Sequence, residues 1–172
     1  MLLIHLTPII SYLHMRIIVK KLTCVILADL LSKAEMFTKV IPNRLEIELQ
    51  DIAAGYGFAP RIHRVDGNVV QMDEIKGSCL ADIYTDDPKK VPDFVWAEIH
   101  RILAVLFERE GIEYVDITSY NFMLENDTNK VWIIDFGHAY YSTTPLAPDK
   151  KAINWFLREV LDGEKSWNPD FA

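Results

Sequence analysis

Apolar positions along this chain recur with two periods, and the changes of period mark out its elements. Arg16-Ile-Ile-Val-Lys20 and Met36-Phe-Thr-Lys-Val-Ile41 are strand-like, and Thr23 to Lys33 is more helical between them. Pro42-Asn43 then opens a helix with Asn43 as N-cap; Leu45, Leu49, Ile52 and Ala53 fall at helical spacing, and Gly55-Tyr-Gly57 stops it. Arg61 to Val65 and Asn68 to Met72 flank Asp66-Gly67, a two-residue hairpin signal. A short helical piece around Leu80 to Tyr84 precedes a charged, proline-containing loop, Asp86 to Lys90. Pro92 begins the longest helix, whose face carries Val95, Ile99, Ile102, Leu103 and Leu106, and Gly111 ends it. Phe122-Met-Leu and Val131-Trp-Ile-Ile134 predict two strands around a turn at Glu125 to Lys130, and a last amphipathic helix is expected from about Pro148 to Leu161, closed by Gly163.

This order of strands and helices predicts an α+β fold, and 172 residues suit one domain or two small lobes sharing a core. Half the residues are apolar and a quarter charged, as in ordinary globular chains. The net charge of −7 argues against a nucleic-acid partner bound by phosphate neutralisation, and Lys150-Lys151 is too small a basic patch to reverse that. The apolar N-terminal run is interrupted by His5, Pro8, His14 and Arg16, so it falls short of the ~18 uninterrupted apolar residues of a membrane span. Its cations follow the apolar run, which is the wrong order for a signal peptide. Cys24 and Cys79 form no C-x-x-C and read as thiols of a reducing compartment, so a cytoplasmic location is expected. The five histidines show no zinc spacing.

The chemistry is concentrated in two stretches. Asp116-Ile-Thr-Ser-Tyr-Asn121 is a D-x4-N loop, and Ile133-Ile-Asp-Phe-Gly137 contains a D-F-G; fourteen positions and the predicted hairpin separate Asn121 from Asp135. Order, spacing and hairpin together resemble the catalytic loop and metal-binding turn of the protein-kinase-like superfamily. The resemblance spans about residues 43 to 162 and is strongest from 111 to 137. It implies a two-lobe kinase-like fold: a reduced sheet with one helix over about 1–75, and a truncated, mainly helical lobe over 76–172. Thr118 resembles the corresponding position of the atypical kinase of the KEOPS complex.

The resemblance further implies an ATP-dependent phosphotransferase that uses magnesium and acts on a protein or small-molecule hydroxyl. Asp116 would be the base, and Asn121 and Asp135 would hold the metal. A lysine–glutamate pair should steady the phosphates. Lys39 is the preferred lysine, with Lys20 as alternative; Glu48, between Leu45 and Ile52, is the preferred glutamate, with Glu46 as rival. Backbone near Met72, Glu74 and Ile75 would hold adenine. His138 is a weaker candidate for an extra acid or base, since a lone histidine after a turn is more often a packing residue.

The departures set a second expectation. Tyr114-Val115 stand where His-Arg is usual, no A-P-E motif follows Gly137, and no glycine precedes Gly55, so no glycine-rich phosphate loop stands ahead of either lysine. A kinase-like module that binds a nucleotide or a partner protein without turnover is therefore the alternative, as is an ATPase subunit of a larger complex. Lobes this reduced could rely on a protein partner for cover.

Overall fold

The computed structural model describes residues 36–142 and 163–171. The strand expected at 16–20, the helices expected at 23–33 and 148–161, and Lys20 lie outside the described residues.

Strand β1 (Met36–Val40) runs into helix α1 (Arg44–Gly55), followed by β2 (Ile62–Asp66) and β3 (Val69–Asp73). These strands form an antiparallel sheet of order β1-β3-β2. Asn43 caps α1 as its sequence position requires, its side chain accepting from the Leu45 N–H at 3.0 Å. The hairpin turn lies one residue later than expected: Asp66 pairs with Val69, leaving Gly67-Asn68 as the turn. Gly67 supplies the positive φ (59°) at the first turn position, while the Asp66 backbone stays in the ladder. Ile41, Val70 and Met72 form the small core of this sheet, with Ile47 and Ile62 packed against it.

The larger core gathers around α3 (Asp93–Glu110), whose buried stripe is Val95, Trp96, Ile99, Ile102, Leu103, Leu106 and Phe107. Gly111 ends the helix in the left-handed conformation, its N–H returning to Phe107 O. Ahead of α3 come β4 (Gly77–Cys79), α2 (Leu80–Tyr84) and a 3-10 turn (Pro88–Lys90); after it come β5 (Ile112–Glu113), β6 (Phe122–Glu125), β7 (Val131–Ile133) and β8 (Tyr140–Tyr141). Strands β4-β6-β7 make a second antiparallel sheet and β5-β8 a third. Phe122, Ile133 and Phe136 are fully buried in the α3 core, which fixes the hairpin and the turn after it. No described helix is long and apolar enough to cross a membrane.

Candidate active site

A cleft of about 460 Å³ opens between β1 and β3 on one wall and the β6–β7 hairpin on the other. Phe37, Lys39, Met72, Glu74 and Ile75 line it together with Met123, Ile134 and Asp135. Four of the sequence candidates, Lys39, Met72, Glu74 and Ile75, thus meet Asp135 around one space. Alternation places the sheet residues: Lys39 pairs with Val70 and Phe37 with Met72 in the register, so Phe37, Lys39, Val70 and Met72 share one face of the sheet, while Glu74 and Ile75 follow the end of β3.

At this cleft the Lys39 ammonium lies 2.9 Å from Glu46 Oε1 and 3.1 Å from Asp135 Oδ1. Burial alone lowers its pKa, but hydrogen bonds to the two carboxylates more than offset this, and the net shift is upward. Lys39 is therefore a held cation.

The expected partner Glu48 is corrected by this geometry. Glu48 accepts instead from the Tyr141 hydroxyl at 2.7 Å, on an exposed face of α1. The reason lies in the stripe that α1 buries: Leu49 and Ala53 with Glu46 and Gln50, whereas Leu45 and Ile52 are only half-buried. Counting apolar positions alone rotated the buried face by about one residue. Gln50, which sequence reasoning missed, donates to Pro60 O at 3.2 Å and contacts Met72 Sδ at 3.1 Å, tying α1 to the sheet behind the cleft.

The D-x4-N loop is fixed from several sides. Asn121 Nδ2 donates to Asp116 O at 3.0 Å, and Ile134 N–H donates to Asn121 O at 3.0 Å, linking the D-x4-N loop to the D-F-G turn. Tyr114 sits where a histidine is usual, and its hydroxyl donates to Ile134 O at 2.6 Å. Burial first, and then the charges of Asp116, Asp135 and Glu46, push this hydroxyl well above its ordinary pKa, so it stays a donor. Sequence reading saw the departure at Tyr114 only as a loss. Asp135 itself is a non-glycine residue at φ 60°, an uncommon conformation held by the buried Phe136 beside it and by the Gly137 N–H on its Oδ1 at 3.3 Å. Asp116 is mostly enclosed, and its Oδ2 lies 3.1 Å from His138 Nδ1.

Among the described residues, no group of three or more His, Cys, Asp and Glu gathers at metal-binding distance. Asn121 and Asp135 offer an amide and a carboxylate oxygen. Magnesium takes such sparse protein sets when phosphate oxygens and water complete its shell, so the donor chemistry fits a nucleotide-borne magnesium.

Residues 35–158 match the RIO domain family, most of the chain's length. The chain belongs to the RIO domain family. This family is atypical and protein-kinase-like, as the resemblance of the D-x4-N loop and D-F-G implies. A solved kinase structure, PK-1 of the Cydia pomonella granulovirus, superposes on this chain with a TM-score of 0.53 at 17% identity. The match covers 68% of this chain and 47% of the viral kinase, so the chain spans about half that protein's length. At this identity the likeness speaks for the fold: kinase-like, mixed α+β, with antiparallel sheets. No curated protein sequence matches the chain significantly.

Proposed function

We propose that this RIO domain binds ATP with magnesium in the cleft and transfers the γ-phosphate to a hydroxyl of a protein or small molecule. The observation that carries the reading is Lys39 held between Glu46 and Asp135 at the edge of a cleft lined by Met72, Glu74 and Ile75. In this reading the two-lobe division falls near residue 75, with the cleft along it. The backbone of Glu74 and Ile75 holds adenine, and Lys39, steadied by Glu46, takes phosphate oxygens. Asn121 and Asp135 hold the metal, and Asp116 orients the acceptor hydroxyl and receives its proton. Magnesium and ATP, when bound, supply the transferable group and the positive charge that offsets the phosphates. The protein's share is positioning and electrostatics.

The test is thermal stabilisation of the whole chain by Mg–ATP, run beside Asp135→Ala, followed by transfer of labelled γ-phosphate to candidate acceptors or to the chain itself. A ligand at one hundred times its Kd adds about 2.7 kcal/mol to the folded state. Stabilisation is expected in the parent and absent in the variant. No stabilisation of a folded parent chain would sink the reading. A second reading, nucleotide binding without turnover, is favoured by the absence of any glycine before Gly55. Stabilisation without label transfer to any acceptor, the chain included, is its signature.

A further inference from the structure

His138 has no part in the phosphate site, yet its Nδ1 stands 3.1 Å from Asp116 Oδ2. Its imidazole meets the Phe171 ring, with centroids 5.1 Å apart and planes inclined at 54°. Phe171 is itself anchored, its N–H donating to Asn168 O at 3.0 Å. Asn168 is only 3% exposed and fastens to the catalytic loop on both sides of Asp116. Its Nδ2 donates to Val115 O at 2.7 Å, and its backbone N–H donates to Ile117 O at 2.9 Å. Trp167, one residue earlier, packs on Trp96 of α3 with centroids 4.6 Å apart. One short segment therefore grips the backbone around Asp116 and supports the imidazole that touches its carboxylate.

The chemistry of the contact is one-directional. An ionised carboxylate only accepts, so His138 must carry its hydrogen on Nδ1. The terminal torsion of an aspartate is broad and nearly two-fold. A donor fixed on Oδ2 therefore decides where Oδ1 points. The Asp116 side chain is 17% exposed and that of His138 63%, so the imidazole covers one oxygen from the solvent side.

We propose that His138 is a positioning residue for Asp116, held by Phe171 in the Nδ1–H form that aims the free carboxylate oxygen at the acceptor hydroxyl. The proposal rests on the reading of Asp116 as the base that meets that hydroxyl.

Two measurements on the whole chain test it. Long-range nitrogen–proton spectra of the imidazoles, recorded under alkaline conditions without nucleotide, should show His138 as the Nδ1–H tautomer, and Asp116→Ala or Phe171→Ala should abolish that preference. A parent spectrum showing Nε2–H at His138 overturns the proposal. In steady-state turnover, His138→Ala should lower kcat about 10- to 100-fold, the scale of a misaimed catalytic group. KM for ATP and stabilisation by Mg–ATP should stay within about twofold. His138→Asn, whose amide N–H stands close to where Nδ1–H does, should recover most of kcat. Equal losses in both variants, or a change confined to KM, would refute the positioning role. If the parent shows no turnover at all, the phosphotransfer reading fails, and the imidazole spectrum by itself decides whether His138 holds Asp116.

Discussion

Replacing Glu46 by Gln, beside Glu48→Gln, separates the two candidate partners of Lys39. Glu46→Gln keeps size and shape but removes one of the two carboxylates on the ammonium, the one at 2.9 Å. Hydrogen bonds to charged groups contribute about 1.5–3 kcal/mol. The Glu46 side chain is only 7% exposed, but that of Lys39 is 31% exposed and keeps Asp135 at 3.1 Å, so solvent and the second partner soften the loss. About 1–2 kcal/mol remains. Lys39 would then fall to Asp135, the proposed metal ligand, so on that reading the loss acts on phosphate and metal binding together. Mg–ATP affinity measured by titration calorimetry should weaken about 5- to 30-fold. Glu48→Gln keeps an acceptor for the Tyr141 hydroxyl at an exposed site, so its effect should stay under about 0.5 kcal/mol. An equal or larger loss in Glu48→Gln would refute the assignment of Glu46.

Three further outcomes follow from local geometry. A Cβ at Gly77 would lie 2.2 Å from Leu124 O and 2.8 Å from Leu124 C, a clash with backbone that no rotamer relieves. Gly77→Ala should therefore lower the thermal midpoint by at least the ~1–3 kcal/mol of an overpacked site, and an unchanged melt would contradict the close approach of β4 to β6. Asn43→Ala should cost about 1 kcal/mol in chemical denaturation, with Asn43→Asp near neutral. The Tyr141 hydroxyl is pushed up from 10 to about 12, first by its hydrogen bond to Glu48 and then by burial. A raised folded-state pKa favours folding while pH is below the unfolded value and loses that contribution as pH climbs from 10 to 12. Tyr141→Phe should flatten the melt profile in that window, and a profile unchanged by the substitution would show that the Glu48 contact does not form.

The sequence was most legible where one residue type had one physical task. Asn43 capped α1, Gly111 closed α3, and the turn between β6 and β7 fell where its polar residues clustered, because capping and left-handed backbone leave few choices. The kinase-like family was legible in the D-x4-N loop and D-F-G because their spacing is rigid. Glu46 was misranked because periodicity counts apolar residues and is blind to a polar pair, Glu46 and Gln50, buried along the cleft. The roles of Tyr114 and Asn168 were hidden for another reason. Each serves by donating to a backbone carbonyl, at Ile134 and Val115, and such partners leave no mark in side-chain pattern.

The Asn168 contact also orders events in time. Val115 and Asn168 are 53 positions apart, so at about 5–20 residues per second of synthesis the loop waits roughly 3–10 s for its anchor. The α3 core, the hairpin and the Lys39–Glu46–Asp135 cluster draw almost wholly on residues made before Ser142 and can pack during that interval. The carbonyls of Val115 and Ile117 meanwhile lack the donors that Asn168 supplies. Nascent chains halted between residues 142 and 168 should therefore contain a packed cleft beside a D-x4-N loop not yet fastened.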